Sequence, residues 1–184
     1  MNAKERLRAA LNDEKLAPYV AGSTEPWSAS VVCAFAWSID ARDVLELGAF
    51  EGLTTVALAK ALPAASITAI EHDASRSGVT KKRVAAAGLE NVSVVQNDAI
   101  KFLRACADLA GPCFDFAFVD DDHTYAHVAE ELDLLKRVVR PGGLILMHDV
   151  IGDFGLEQLV WHHKGRIIEL PLLHAAGGIG VIRV

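Results

Sequence analysis

Five short apolar runs, at residues 44–47, 67–71, 92–95, 114–119 and 144–147, alternate with stretches whose apolar residues recur at helical spacing. The helical patterns lie near residues 53–62, 75–87, 99–109 and 125–139. Each meets a breaker: Pro63, Gly88, Gly111-Pro112 or Pro141-Gly142-Gly143. Strands joined through a helix-length connection cannot be hairpin partners, so each must cross over and return parallel to the last. A parallel sheet is covered on both faces, which demands continuous apolar strands and a high apolar content. The chain is 52% hydrophobic, so it can supply both. The alternation predicts an α/β, doubly wound, mainly parallel sheet. One domain over residues 1–184 suffices, since a chain of this length buries roughly 70% of its unfolded surface.

The two ends of the chain break the alternation. After a helical pattern near residues 154–164, strand patterns at 166–170 and 180–184 leave no room between them for a crossover helix. The loop 171–178 fits a hairpin, so the last strand is expected to be antiparallel, closing a seven-stranded sheet with a C-terminal antiparallel hairpin. Residues 1–40 read as a helical segment, with helices near 3–12 and 27–39 joined through Pro18 and Gly22. The second helix is apolar on most faces and should pack on the sheet; it also offers a homodimer contact. The loop Gly22-Ser-Thr-Glu-Pro-Trp27 reads either as a cover over a ligand crevice or as a packing connector.

Charge and cysteine usage exclude several classes. The net charge is −6 and basic residues are scattered apart from Lys81-Lys82-Arg83, so no nucleic-acid partner is expected, because phosphate-backbone binding needs a basic surface. The uncharged run at residues 26–39 is shorter than the about 20 apolar residues of a membrane helix. No apolar signal core follows Met-Asn-Ala-Lys-Glu-Arg-Leu-Arg. The expectation is a cytoplasmic protein with no membrane partner. Cys33, Cys106 and Cys113 are odd in number and lack zinc-type spacing, so they read as small buried hydrophobes.

In doubly wound sheets ligands sit at the carboxyl ends of the strands. The first strand runs into Gly48 and Gly52 and then a helix start, a turn whose backbone N–H groups can approach a ligand closely. Acids stand at four strand ends: Glu46, Glu71, Asp98 and Asp120. A carboxylate at Glu71 can accept hydrogen bonds from both hydroxyls of a ribose. Asp98 can meet an adenine amino group, or cap the next helix. A dinucleotide pyrophosphate wants Gly-x-Gly-x-x-Gly, whereas Phe50 occupies the middle glycine position and Glu46 and Glu51 add negative charge. A ligand bearing both cationic and anionic groups, such as S-adenosylmethionine, suits this turn better.

Glu46-Leu-Gly-Ala-Phe-Glu-Gly-Leu-Thr-Thr resembles the first motif of class I S-adenosylmethionine-dependent methyltransferases, which have a Rossmann-like fold. It is most similar to the catechol and caffeoyl-coenzyme A O-methyltransferase group and to macrocin O-methyltransferase-like proteins. The resemblance runs from about residue 44 to 151, with weaker agreement at 177–184. It implies that Glu46 and the Gly48 backbone, in the Gly48–Gly52 turn, face the methionine amino group and that Thr54 binds the carboxylate. Glu71 would then hold the ribose and Asp98 the adenine edge, with Asp120 also beside the cofactor.

Two further strand endings carry chemistry. Phe116-Ala-Phe-Val-Asp-Asp-Asp-His123 ends in three carboxylates and an imidazole, and Leu144-Ile-Leu-Met-His-Asp149 in an imidazole and a carboxylate. Adjacent strands lie about 4.8 Å apart, so the two endings can converge. Asp120, His148 and Asp149 there make a candidate divalent-metal site, for magnesium, manganese or a similar ion. By the resemblance, metal-dependent catechol-type enzymes carry Asp at the position of Asp120, Asp-Asn at those of His148 and Asp149, and a lysine base at that of His123. The chain departs from this at three positions. His148 would favour manganese, iron or zinc over magnesium, or is not a ligand. His123, with an ordinary pKa of about 6.5, suits a base at neutral pH. His123, Asp149 and Asp120 are the candidate catalytic residues. Asp122 reads first as a cap of the helix that follows, with Asp121 in solvent; Tyr125, His127, His162, His163 and His174 read as surface or packing residues, His174 being the best of them for substrate contact.

The expected activity is methyl transfer to oxygen of a small-molecule acceptor. The absence of Asn-Pro-Pro-aromatic after the fourth strand argues against methylation of base amino groups. A nicotinamide-dependent oxidoreductase and a cofactor-binding module without catalysis are the alternatives. Acceptor choice is expected to rest on residues 1–39 and 171–178.

Overall fold

The computed structural model describes residues 23–151, 156, 159, 168–170 and 177–184. The expected helices near 3–12 and 154–164, and His162, His163 and His174, lie in whole or nearly so outside the described residues. Seven strands form one sheet: β1 (Asp43–Leu47), β2 (Ser66–Glu71), β3 (Val92–Gln96), β4 (Phe114–Val119), β5 (Val139–His148), β6 (Ile168–Leu170) and β7 (Ile179–Arg183). Helices α1 (Pro26–Ser38), α2 (Leu53–Ala61), α3 (Ala74–Ala86), α4 (Ala99–Leu109) and α5 (Tyr125–Val138) complete the described elements. The strand order is β3-β2-β1-β4-β5-β7-β6. β1 through β5 run parallel, and β7 runs antiparallel to both neighbours. The expected seven-stranded sheet and antiparallel hairpin are therefore both present.

Strand order reverses between β1 and β4, which opens a crevice at their carboxyl ends. The sheet divides the core in two. On one face Leu45, Leu47, Ala117 and Ile145 pack with α4 and α5 residues such as Leu103, Leu132 and Leu135. On the other, Val44, Phe116, Phe118 and Leu146 pack with Val32, Cys33 and Ala36 of α1 and Leu58 of α2. The alternation of neighbours along each strand assigns the two faces, as the pleat requires.

β5 begins sooner than its apolar run suggested. α5 ends at Val138 and the chain enters the sheet at once, so Pro141-Gly142-Gly143 lies inside the strand. The β4–β5 register shifts between Phe114 and Phe116, absorbing this segment as an irregularity. Gly143 is required there, because a Cβ would stand 2.5 Å from the Asp115 carbonyl oxygen. Asn91 ties the start of β3 to the start of its neighbour β2. Its amide lies 3.1–3.3 Å from the carbonyl oxygens of Ala59, Leu62 and Ala65, where α2 gives way to β2.

Candidate functional site

The turn after β1 is held by a set of backbone constraints that only certain residues satisfy. Gly48 has φ +82°, and a Cβ on it would lie 2.3 Å from the Asp120 carbonyl oxygen. Glycine is thus what lets the ends of β1 and β4 close on each other. The N–H groups of Gly48 and Ala49 both donate to the Ile70 carbonyl, at 3.0 and 2.9 Å. Phe50 adopts φ +48°, unusual for a bulky residue. It is pinned by its N–H donating to Glu71 Oε2 at 2.8 Å and by the Thr80 hydroxyl donating to its carbonyl at 2.7 Å. The Arg76 guanidinium covers its ring at 4.3 Å. Gly52, at φ +80°, is the N-cap of α2.

Glu71 is buried, and its second oxygen accepts the Asp73 N–H at 2.8 Å. Oε2 keeps a lone pair for a further donor, whereas Oε1 also has His72 Nδ1 at 3.4 Å. Glu71, Thr54, Asp98 and the backbone of Gly48 line one crevice of about 920 Å³. Asp98 does so while capping α4, its Oδ1 accepting the Lys101 N–H at 2.9 Å. Glu46 is placed differently. It is 1% exposed, is not among the crevice-lining residues, and accepts the Thr55 hydroxyl at 2.5 Å. Burial, partly opposed by that hydrogen bond and reinforced by Asp120 and Glu71, pushes its carboxyl up to about 8.

Across the same crevice, the ends of β4 and β5 converge as their spacing implied. Asp120, His123, His148 and Asp149 each offer an atom within 4.8 Å of the others. His148 Nδ1 lies 3.1 Å from Asp120 Oδ1 and 3.4 Å from Asp149 Oδ2. His123 Nε2 lies 3.4 Å from Asp149 Oδ2 and 3.6 Å from Asp120 Oδ1. Donors about 2.0–2.1 Å from a tetrahedral cation stand about 3.3 Å apart, so the four fit such an ion. Two imidazoles with two carboxylates suit zinc, manganese or iron rather than magnesium.

The N-terminal loop closes over this cluster. The Thr24 hydroxyl donates to Asp120 Oδ2 at 2.5 Å, and His148 Nε2 lies 3.1 Å from Glu25 Oε2. Glu25 thus orients the ring whose other nitrogen faces the cluster, the pattern by which a carboxylate supports a ligating histidine. Burial opposes charge on His148, yet its bonds to Asp120 and Asp149 push it up to about 11. Burial likewise opposes ionisation of Asp120, but contacts from His123 and His148 outweigh it and hold its carboxyl below the usual range. Contact with Asp120, against burial, raises His123 above its ordinary value.

Asp149 has φ +55° and is seated by the chain beside β7. Its N–H donates to the Gly178 carbonyl at 3.1 Å, and a Cβ on Gly177 would fall 1.8 Å from its Oδ1. Asp122 accepts the Thr124 N–H at 2.8 Å, tightening the turn before α5, whose N-cap is Thr124. Asp121 is not in solvent as expected. Its side chain is 14% exposed and meets His127, which lines the crevice instead of the surface. Sequence reasoning named the loop of Thr24 and Glu25 but not their contacts. It missed the grouping of Asp121, His127 and Glu131, whose only trace is the i,i+4 spacing of His127 and Glu131 on α5.

The fold is a doubly wound α/β domain whose crevice has an acid-bearing turn on one side and a histidine–carboxylate cluster on the other. A family described as a methyltransferase domain matches residues 45–150. The chain belongs to this methyltransferase family. It is 30% identical over 151 residues to a catechol O-methyltransferase of Niastella koreensis, covering 81% of this chain and 67% of that one. It is 35% identical over 112 residues to a caffeoyl-CoA O-methyltransferase of Populus kitakamiensis, covering 58% and 46%. The chain thus spans about half to two thirds of the length of these curated relatives. The solved O-methyltransferase of Bacillus cereus in complex with SAH has the same fold, with a TM-score of 0.72 at 20% identity, covering 98% of this chain and 91% of that one. The nicotinamide alternative finds no support in these matches.

Proposed function

We propose that the chain is an S-adenosylmethionine-dependent methyltransferase acting on a hydroxyl of a small cytoplasmic molecule. The observation that carries the reading is one crevice with Glu71, Asp98 and the Gly48 turn on one wall and Asp120, His123, His148 and Asp149 on the other. Glu71 would accept from the ribose hydroxyls at Oε2, and Asp98 would meet the adenine edge. Thr54 would hold the methionine carboxylate beside the start of α2. Glu46, protonated in the fold below about 8, would give up that proton as the methionine ammonium arrives and only then act on it through charge.

On the opposite wall, Asp120, His148 and Asp149 would hold a divalent cation with a fourth position open to the acceptor, where the ion when bound would lower the pKa of a hydroxyl. His123, left off the cation, would accept the hydroxyl proton, and Thr24 and Glu25 would keep water from the cluster and the rings in place. Fixing acceptor and methyl donor in line supplies several kcal/mol of rate acceleration. The test is calorimetric binding of S-adenosylhomocysteine, followed by turnover of a catechol and phenol panel with zinc, manganese and magnesium. Wild type should bind the nucleoside product, and Glu71→Ala should weaken it about tenfold or more. Failure to bind it would overturn the reading; binding without turnover under any cation would leave a cofactor-binding module.

A further inference from the structure

A second group of ligating side chains lies behind the crevice wall, separate from the four residues above. Asp121, His127 and Glu131 each place one ligand atom within 4.8 Å of the others. His127 and Glu131 stand one turn apart on the same face of α5, and Asp121 comes from the loop between β4 and α5. His127 Nε2 lies 3.2 Å from Asp121 Oδ2 and 3.3 Å from Glu131 Oε1.

The observation that points to a ligand is Glu131 itself. Its side chain is 0% exposed. Apart from the His127 contact on Oε1 and the facing Asp121 carboxyl, neither of its oxygens, nor Asp121 Oδ1, meets a well-aligned hydrogen-bond donor among the described residues. Such a group ordinarily costs several kcal/mol to bury. Its charged neighbours, besides His127, are the acids Asp121, Asp122 and Asp98. Hydrophobic residues of similar shape would fill the space without cost. Three anionic or neutral donors answer the problem in another way, the two separations from His127 matching the about 3.3 Å between neighbouring ligands of a tetrahedral ion. His127 and Asp121 line the crevice, so the position can be reached from solvent.

We propose that Asp121, His127 and Glu131 bind a divalent transition cation of the zinc class, distinct from any ion at Asp120, His123, His148 and Asp149. The mixed imidazole and carboxylate donors favour zinc, manganese or iron over magnesium or calcium. The ion ties the β4–α5 loop to the first turns of α5 and neutralises the acids that meet there. The competing explanation is a single proton shared between Glu131 and Asp121.

Glu131→Gln separates the two. It keeps the shape and can donate to Asp121 as a protonated acid would, but it cannot act as an anionic ligand. Metal-free protein is titrated with zinc by calorimetry and with cobalt by its visible ligand-field absorption. Wild type, Glu131→Gln and His127→Asn are compared, with circular dichroism melts confirming that each folds. Wild type should bind one equivalent more than either variant, and the variants should lose affinity at that site by about 100-fold or more, since losing even an outer-shell partner costs about 10- to 100-fold. The comparison reads the difference between proteins, so it stands whether or not the other cluster binds metal and whether or not methyl transfer occurs. Equal stoichiometry and affinity in folded wild type and both variants would overturn the proposal and assign the shared proton instead.

Discussion

Replacing Glu46 by Gln should change how stability depends on pH, and the size follows from where the structure puts the carboxylate. In the unfolded chain it ionises near 4.5; in the fold, burial pushes it up to about 8. Between those values the unfolded state has released a proton that the native state retains. Stability therefore falls as pH rises through this window, by about 1.4 kcal/mol per pH step, and levels off above it. Across the window the loss reaches about 4–5 kcal/mol, a large share of the roughly 5–15 kcal/mol typical of a domain. Gln keeps an oxygen to accept the Thr55 hydroxyl but has no charge to desolvate. The assay is urea unfolding of wild type and Glu46→Gln, followed by circular dichroism between pH 4.5 and 9. The two should be similarly stable at the acid end, and the variant should lead increasingly toward pH 8. A difference that stays constant across the series would refute the reasoning, since it would mean that Glu46 ionises as readily in the fold as outside it.

Gly48→Ala should destabilise by about 2–5 kcal/mol, combining left-handed strain with a clash against backbone, read as a lowered urea midpoint. Asn91→Ala should cost about 1–3 kcal/mol by stripping partners from the carbonyls at the end of α2, with nucleoside binding unchanged by calorimetry. A cation entering the first cluster must displace the proton that Asp120 and Asp149 hold on His148 up to about 11. Zinc affinity should therefore rise with pH between 6 and 9 and binding should release protons, measured by calorimetry in buffers of different ionisation enthalpy; pH-independent affinity would count against His148 as a ligand. Glu25→Gln should weaken zinc binding by about 10- to 100-fold, whereas an unchanged affinity would reduce Glu25 to a packing contact.

The sheet was legible because its signals are local: apolar runs bounded by glycine and proline mark β1 through β4 to within a residue or two. Strand ends then located Glu71, Asp98, Asp120, His148 and Asp149 at the crevice without any knowledge of contacts. What sequence could not carry was direction within that neighbourhood. Glu46 belongs to the right strand end but points among Thr55 and α1, because alternate residues of a strand face opposite sides. Thr24 and Glu25 reach the cluster across 96 and 123 positions of chain, a separation that no spacing rule covers. His127 and Glu131 look like the polar face of an ordinary amphipathic helix until the loop bearing Asp121 folds over them.

The placement of β7 between β5 and β6 sets a timetable for the molecule. The wall that carries Gly48, Thr54, Glu71 and Asp98 is encoded early in the chain, by the ends of β1, β2 and β3 and the turns that follow them. Asp149 has its seat only when Gly177 and Gly178 arrive and β7 inserts along β5. Translation therefore delivers every residue of the first wall before the last support of the second.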